Sequence, residues 1–205
     1  MASRTLLMSL KNKSIGVGFS DPDWSNQDDI DQFIALASKK MKVLAVMAGN
    51  QNYLQTLDAM REHFTYVREI AYLVPGAGNR LDPDTMNIST GFKPVLVGSF
   101  NLKRGFYNVV RSEKAEHDLH PWGLNLSAVQ RIIEYLSDPG DLVADCYCGG
   151  GSTALSCVKS GRRFIGCDNG LVSKLVKGAP PEQTWADVAI ARVNEELEMQ
   201  LKKVA

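Results

Sequence analysis

Two short stretches carry residue types that could do chemistry. Asp141 to Thr153, DLVADCYCGGGST, passes from an apolar run into an acid and a glycine cluster, and Arg162 to Asp168, RRFIGCD, is a second apolar run ending in an acid. Helix-forming residues lie between them, so the unit reads as strand, tight turn, helix and strand, with Asp168 nineteen residues after Gly149. Glycines at such a turn let the backbone approach a ligand closely, and an acid at the end of the second strand accepts hydrogen bonds from ribose hydroxyls. The unit therefore suits a nucleoside. It also excludes ligands: no GKS or GKT follows Gly151, as a phosphate-cradling P-loop requires, and the third glycine of a dinucleotide fingerprint is absent.

The second candidate lies far upstream. Asp21-Pro22-Asp23-Trp24 directly follows the alternating run Ile15, Val17, Phe19. That places it at the carboxyl end of a first strand, the edge at which open α/β sheets bind ligands. Parallel strands can bring this turn and the glycine turn to one crevice.

The elements that must position these turns alternate along the chain. After the first strand, Ile30, Phe33, Ile34 and Ala37 recur at helical spacing over 28–40, with Asp28 and Asp29 suited to a helix N-terminus. Val43 to Met47 reads as a strand, 52–63 as a helix and Tyr66 to Val74 as a strand. The loop PGAGNRLDPDTMN precedes two strand-like runs, Pro94 to Phe100 and Phe106 to Val110. Leu126, Val129, Ile133 and Leu136 share one helical face that Pro139-Gly140 ends, and a last helix from about Gln183 carries Trp185, Ala189, Val193, Leu197 and Leu201 on a stripe expected to dock on the sheet. Such alternation predicts an α/β fold with a mostly parallel sheet and helices on both faces.

Composition narrows the function classes. With 205 residues, 44% of them apolar, the chain can bury one core as a single domain. A net charge of zero gives no overall footprint for a polyanion, so a nucleic-acid partner must be gripped locally. Segment 76–116 has a mild basic excess from Arg80, Lys93, Lys103, Arg104, Arg111 and Lys114, which a solvated surface explains equally well. The run Leu6, Leu7, Met8 is too short for a signal peptide or a membrane span, so a cytoplasmic protein with no membrane partner is expected. Cys146, Cys148, Cys157 and Cys167 read as reduced thiols on buried strands, not a metal site, because no CxxC or histidine pair accompanies them.

Taken in order, these blocks resemble the amino-methyltransferases that use S-adenosylmethionine to methylate exocyclic amines of DNA bases, in the permuted, β-class arrangement. SDPDW resembles the catalytic DPPY or DPPW motif. HPWGLN, LSDPGDLVADCYCGGGST and GRRFIGCDN resemble the later block of a histidine-proline element, a PGD strand, a DPFxGSGT turn and an acidic strand end. FTYVREIAYLV and GFKPVLVGSF resemble the strands between, so the likeness spans about residues 14 to 200. It implies a Rossmann-like sheet with an antiparallel edge strand, S-adenosylmethionine as methyl donor, and DNA as substrate, with adenine favoured over cytosine. Restriction-modification, phage self-protection and replication marking would all use this chemistry.

The resemblance also implies roles. The Asp21 carboxylate and Pro22 carbonyl would accept the two N–H bonds of a base amine, aiming its lone pair at the methyl group and stabilising the positive charge that develops. Trp24 would stack on a base that has left its helix. Asp145, Tyr147, Gly149 and Gly151 would line the methionine and ribose side, Asp168 would bind the ribose hydroxyls, and His120 and Trp122 would close over the methionine end; no metal is called for.

Three departures from the pattern bear on activity. Asp23 stands where the family has a second proline, adding freedom and a charge near Asp21 unless it points to solvent as a turn residue. Cys146-Tyr147 follows Asp145 where the family has PF, a tolerable change. The space for target recognition, 79–118, is small and partly needed for strands, so a homodimer or a partner subunit is expected to supply the missing surface. The alternative reading is a catalytically weak or inactive methyltransferase-like subunit that binds cofactor or DNA; an enzyme acting on RNA or a small amine is the other.

Overall fold

A computed structural model describes residues 2–73, 91–102, 105–112 and 123–204. In chain order the elements are α1 (Ala2–Ser9), β1 (Ile15–Ser20), α2 (Gln27–Lys40), β2 (Met41–Met47), α3 (Tyr53–His63), β3 (Tyr66–Leu73), β4 (Phe92–Ser99), β5 (Val109–Arg111), α4 (Leu126–Leu136), β6 (Leu142–Asp145), α5 (Ser152–Lys159), β7 (Arg163–Gly166) and α6 (Trp185–Val204). The strands form one seven-stranded sheet in the order β5-β3-β4-β2-β1-β6-β7.

Two apolar layers sandwich this sheet, one per face. Alternate residues point to opposite faces of a strand: Val43, Ala45 and Met47 of β2 join one core, Leu44 and Val46 the other. The first core is covered by Ala128, Val129, Ile132, Ile133 and Leu136 of α4 with Cys157 of α5; the second by Leu7 of α1, Ile30, Phe33, Ile34 and Ala37 of α2 and Met60 of α3. The α/β architecture with helices on both faces thus follows the sequence periodicity. Helix α1 has no counterpart in that periodicity: it is eight residues long and anchored chiefly by Leu7, which is 1% exposed.

The antiparallel strand is interior, not at an edge. β4 pairs antiparallel with both β2 and β3, whereas the edge strands β5 and β7 run parallel to β3 and β6. β4 and β3 pair over their whole lengths, from Tyr66↔Ser99 to Leu73↔Phe92, and the returning strand fills the slot beside β2. Of the run Phe106 to Val110, only Val109 and Val110 enter a strand, β5. Segment 79–118 therefore gives β4 and β5 to the sheet.

Helix α6 also departs from expectation, because it packs chiefly on α5. Trp185 and Ala189 are buried, but Leu197 and Leu201 are 43% and 72% exposed. The cause is length: α6 has 20 residues and α5 has eight, so at about 1.5 Å per residue the part of α6 beyond Glu196 runs past its partner. Where they still meet, Lys159 forms a 2.6 Å ion pair with the buried Glu196.

Candidate active site

β1 and β6 are adjacent and parallel, with Val17 paired to Val143 and Gly18 to Ala144. The helices that follow them leave to opposite faces: α2 covers one core and α5 the other. This is a topological switch point, where the carboxyl ends of two strands open a crevice. The DPDW turn leaves β1 and the glycine turn leaves β6 at that edge.

The glycine turn is held by its own acids. The Tyr147 N–H donates to Asp145 Oδ1 at 3.0 Å and the Thr153 hydroxyl to Asp145 Oδ2 at 2.6 Å. The Gly149 N–H donates to Asp168 Oδ2 at 2.9 Å and the Gly170 N–H to Asp168 Oδ1 at 2.7 Å. Asp168 stays partly exposed, and a carboxylate with two donors keeps lone pairs for further hydroxyls. Gly149 has a φ of +45° and open space where a side chain would stand. Gly151 differs: at a φ of +82°, a Cβ there would lie 2.6 Å from Ala189 Cβ. Its lack of a side chain serves the approach of α6, whose Arg192 also donates to the Gly150 carbonyl.

The DPDW turn is braced from the loop after β2. The Asn52 side-chain amide donates to the Trp24 carbonyl at 3.0 Å, and a Cβ on Gly49 would lie 2.9 Å from Trp24 Cε3, so the indole packs where only glycine fits. Asp23 is exposed, and its Oδ1 accepts from the Ser25 N–H at 3.0 Å, making it a solvent-facing turn residue. Pro22 is buried. Lys93, at the start of β4, stands over the Trp24 ring with Nζ 5.4 Å from its centroid. In the sequence Lys93 is one member of a mild basic excess, and its place here depends on the antiparallel return of β4; Gly49 and Asn52 carry no motif.

The two acids of the crevice feel each other. Burial pushes the Asp21 carboxyl up to about 6, against the opposing Lys93 charge and the Trp24 indole N–H. That N–H makes no well-formed hydrogen bond yet lies close enough to favour the carboxylate. Burial pushes Asp145 to about 7; Thr153 and the Tyr147 N–H oppose the rise and the Asp21 charge adds to it. Asp145 is 3% exposed. The sheet has therefore brought the early and late motifs within electrostatic reach.

The structure brings Asp21, Pro22, Trp24, Asp145, Gly149 and Asp168 to one edge. Tyr147 turns its ring toward the other core, edge-on to Phe33 at 5.3 Å between centroids, with its hydroxyl toward Ser3. His120 and Trp122 lie outside the described residues. The cysteines do not sit within strands: Cys146 and Cys148 are in the turn after β6, Cys157 is on α5 and Cys167 follows β7. All four are free thiols, and burial raises Cys148 and Cys157, the latter to about 12. Among the described residues, no three metal-ligating side chains cluster, and no helix is long and apolar enough to cross a membrane.

Residues 11–172 match the family model described as DNA methylase, of N6/N4 type. The chain belongs to this DNA methylase family. The chain shares 55% identity over 40 residues with the type II methyltransferase M1.MboII of Moraxella bovis, a match covering 20% of the chain but only 15% of that relative. Its fold resembles the M1.HpyAVI–SAM complex, with a TM-score of 0.70 at 18% identity over 95% of the chain and 97% of that structure. It also resembles the cytosine-N4-specific PvuII DNA methyltransferase, with a TM-score of 0.68 at 17% identity over 95% and 91%. At these identities the solved structures speak for the fold of the chain, and the family model for its family.

Proposed function

We propose that this methylase transfers a methyl group from S-adenosylmethionine to an exocyclic amine of a DNA base. The observation that carries the reading is the adjacency of β1 and β6, which sets Asp21 within electrostatic reach of Asp145. The open space at Gly149 and the pre-bonded, partly exposed Asp168 carboxylate fit a ribose and its hydroxyls. A structural neighbour bound to the same cofactor, M1.HpyAVI, supports this choice of donor.

When bound, S-adenosylmethionine supplies an electrophilic methyl on a sulfonium sulfur. The chain's own residues do the rest. The Asp21 carboxylate and Pro22 carbonyl accept the amine N–H bonds, which counters delocalisation of the nitrogen lone pair into the base. With its carboxyl pushed up to about 6, Asp21 is a stronger proton acceptor than an ordinary aspartate yet still ionised at neutral pH. Trp24, held by Gly49 and Asn52, offers a fixed stacking surface to a flipped base. Asp23 leaves the acceptor geometry untouched because it faces solvent.

The test is incubation with methyl-labelled S-adenosylmethionine and unmethylated DNA, followed by digestion to nucleosides and mass analysis. The expected product is N6-methyladenine or N4-methylcytosine nucleoside, and its mass identifies the target base. Cofactor binding by calorimetry with no label in DNA would instead leave an inactive binding subunit. Label in RNA alone would overturn the DNA assignment.

A further inference from the structure

The antiparallel return of β4 places a cation where it alters the chemistry of the DPDW turn. Met47 pairs with Val95, and the Ala48 N–H donates to the Pro94 carbonyl at 3.0 Å, which fixes the start of β4 against the end of β2. Because β4 runs opposite to β2, its first residues lie at the carboxyl edge of the parallel strands. Lys93 sits there, partly buried, with Nζ over the Trp24 ring. Its charge reaches the Asp21 carboxylate.

We propose that Lys93 is a positioning residue for the methyl transfer inferred above, holding the Trp24 ring face, and with it the charge beside Asp21, until a base takes the ring over. The proposal rests on that reading of the function. Two other groups bear on Asp21: Asp145 from β6, whose charge is of the same sign, and the Trp24 indole N–H from its own turn. Asp23 is engaged with Ser25 and turned away. A buried carboxylate beside a second acid needs a nearby cation to remain a charged acceptor. An ammonium over an indole is attracted by the ring quadrupole, and a stacking base needs that same surface. Lys93 is carried on a flexible four-carbon stem, so an arriving base can displace it toward the DNA backbone. Its departure then raises the proton affinity of Asp21 as the amine docks.

The handover separates two profiles, since kcat/KM reports the free enzyme and kcat the complex. Lys93→Met is expected to keep its affinity for S-adenosylmethionine. It should lose roughly threefold in kcat/KM for unmethylated DNA at pH 6.5 and recover most of it at pH 8.5, its acid limb moving up by about one unit. The limb in kcat should move less. Lys93→Arg, which keeps the charge, should retain the wild-type limbs. Independently of turnover, the 13C-carboxyl titration of Asp21, assigned with Asp21→Asn and measured without DNA, should move up in Lys93→Met and stay in place in Lys93→Arg. An unmoved Asp21 titration in Lys93→Met overturns the proposal, as does a loss of rate equal at every pH. A wild-type protein that binds cofactor but methylates no DNA at any pH overturns the transfer function itself, an outcome read in the wild-type arm alone.

Discussion

The Gly149 N–H donates to the Asp168 carboxylate across 2.9 Å, so the turn after β6 and the acid beyond β7 are bonded to each other. Asp168 also accepts from Gly170, making one carboxylate the junction of two loops. Preorganisation of this kind lowers the ordering cost of binding.

Asp168→Ala is therefore expected to do two things. It should lower affinity for S-adenosylmethionine by tenfold or more, since hydrogen bonds to a charged group contribute about 1.5–3 kcal/mol. It should also lower the denaturation midpoint, because two backbone N–H groups lose their acceptor. Asp168→Asn keeps an acceptor and should fall between. Calorimetry together with urea denaturation separates the two effects; unchanged affinity in Asp168→Ala would remove this residue from the binding site.

Asp21→Asn should leave cofactor affinity unchanged and reduce methyl transfer by roughly 10²–10³-fold, the range for removing one preorganised stabilising group. Asparagine presents a donor as well as an acceptor and cannot take a proton at neutral pH. Transfer at the wild-type rate would show that the acceptor lies elsewhere.

The two motifs and the elements bearing them were legible because each is local. A strand ending in an acid and glycines, and a strand ending in SDPDW, advertise themselves by period and turn residues. What surrounds them was not legible. Lys93 reaches Trp24 only because β4 returns antiparallel into the slot between β3 and β2, and Gly49 and Asn52 reach it only because β2 lies beside β1; periodicity reports which residues of an element are buried, never which element lies beside it. For the same reason the packing of Gly151 against Ala189 of α6 was not legible, and the apolar stripe of α6 read as fully docked when its partner helix stops short.

Gly151 and Gly149 separate packing from ligand approach. Gly151→Ala combines a positive φ with a Cβ 2.6 Å from Ala189 Cβ, so it should cost about 2 kcal/mol or more of stability through strain and overpacking. Gly149→Ala meets only the backbone term, about 1–2 kcal/mol, and its Cβ projects into open space. The expected pattern is a larger drop in denaturation midpoint for Gly151→Ala and a larger loss of cofactor affinity, per unit of lost stability, for Gly149→Ala. The reverse pattern would exchange the roles assigned to the two glycines.

Asp145 makes stability depend on pH in a definite direction. Its carboxyl is raised from 3.8 to about 7 in the folded protein, so between those values the folded state holds a proton that the unfolded state has lost. Its stabilising contribution is full below the unfolded value and is lost as pH rises through the folded one. Stability should therefore fall from about pH 4 to about pH 7 on account of this group, by an amount on the order of a few kcal/mol at most. Asp145→Asn should flatten that slope, since its amide oxygen can accept from the Tyr147 N–H while its NH2 donates to the Thr153 hydroxyl, as a protonated acid would. Asp21→Asn should shift the Asp145 slope to lower pH, because the Asp21 charge helps to raise Asp145, and should also remove the slope that the raised Asp21 carboxyl itself adds between about pH 4 and pH 6. Urea denaturation of the three proteins from pH 4 to pH 8 checks all of this. An Asp145→Asn curve parallel to the wild type would mean that another group carries the titration.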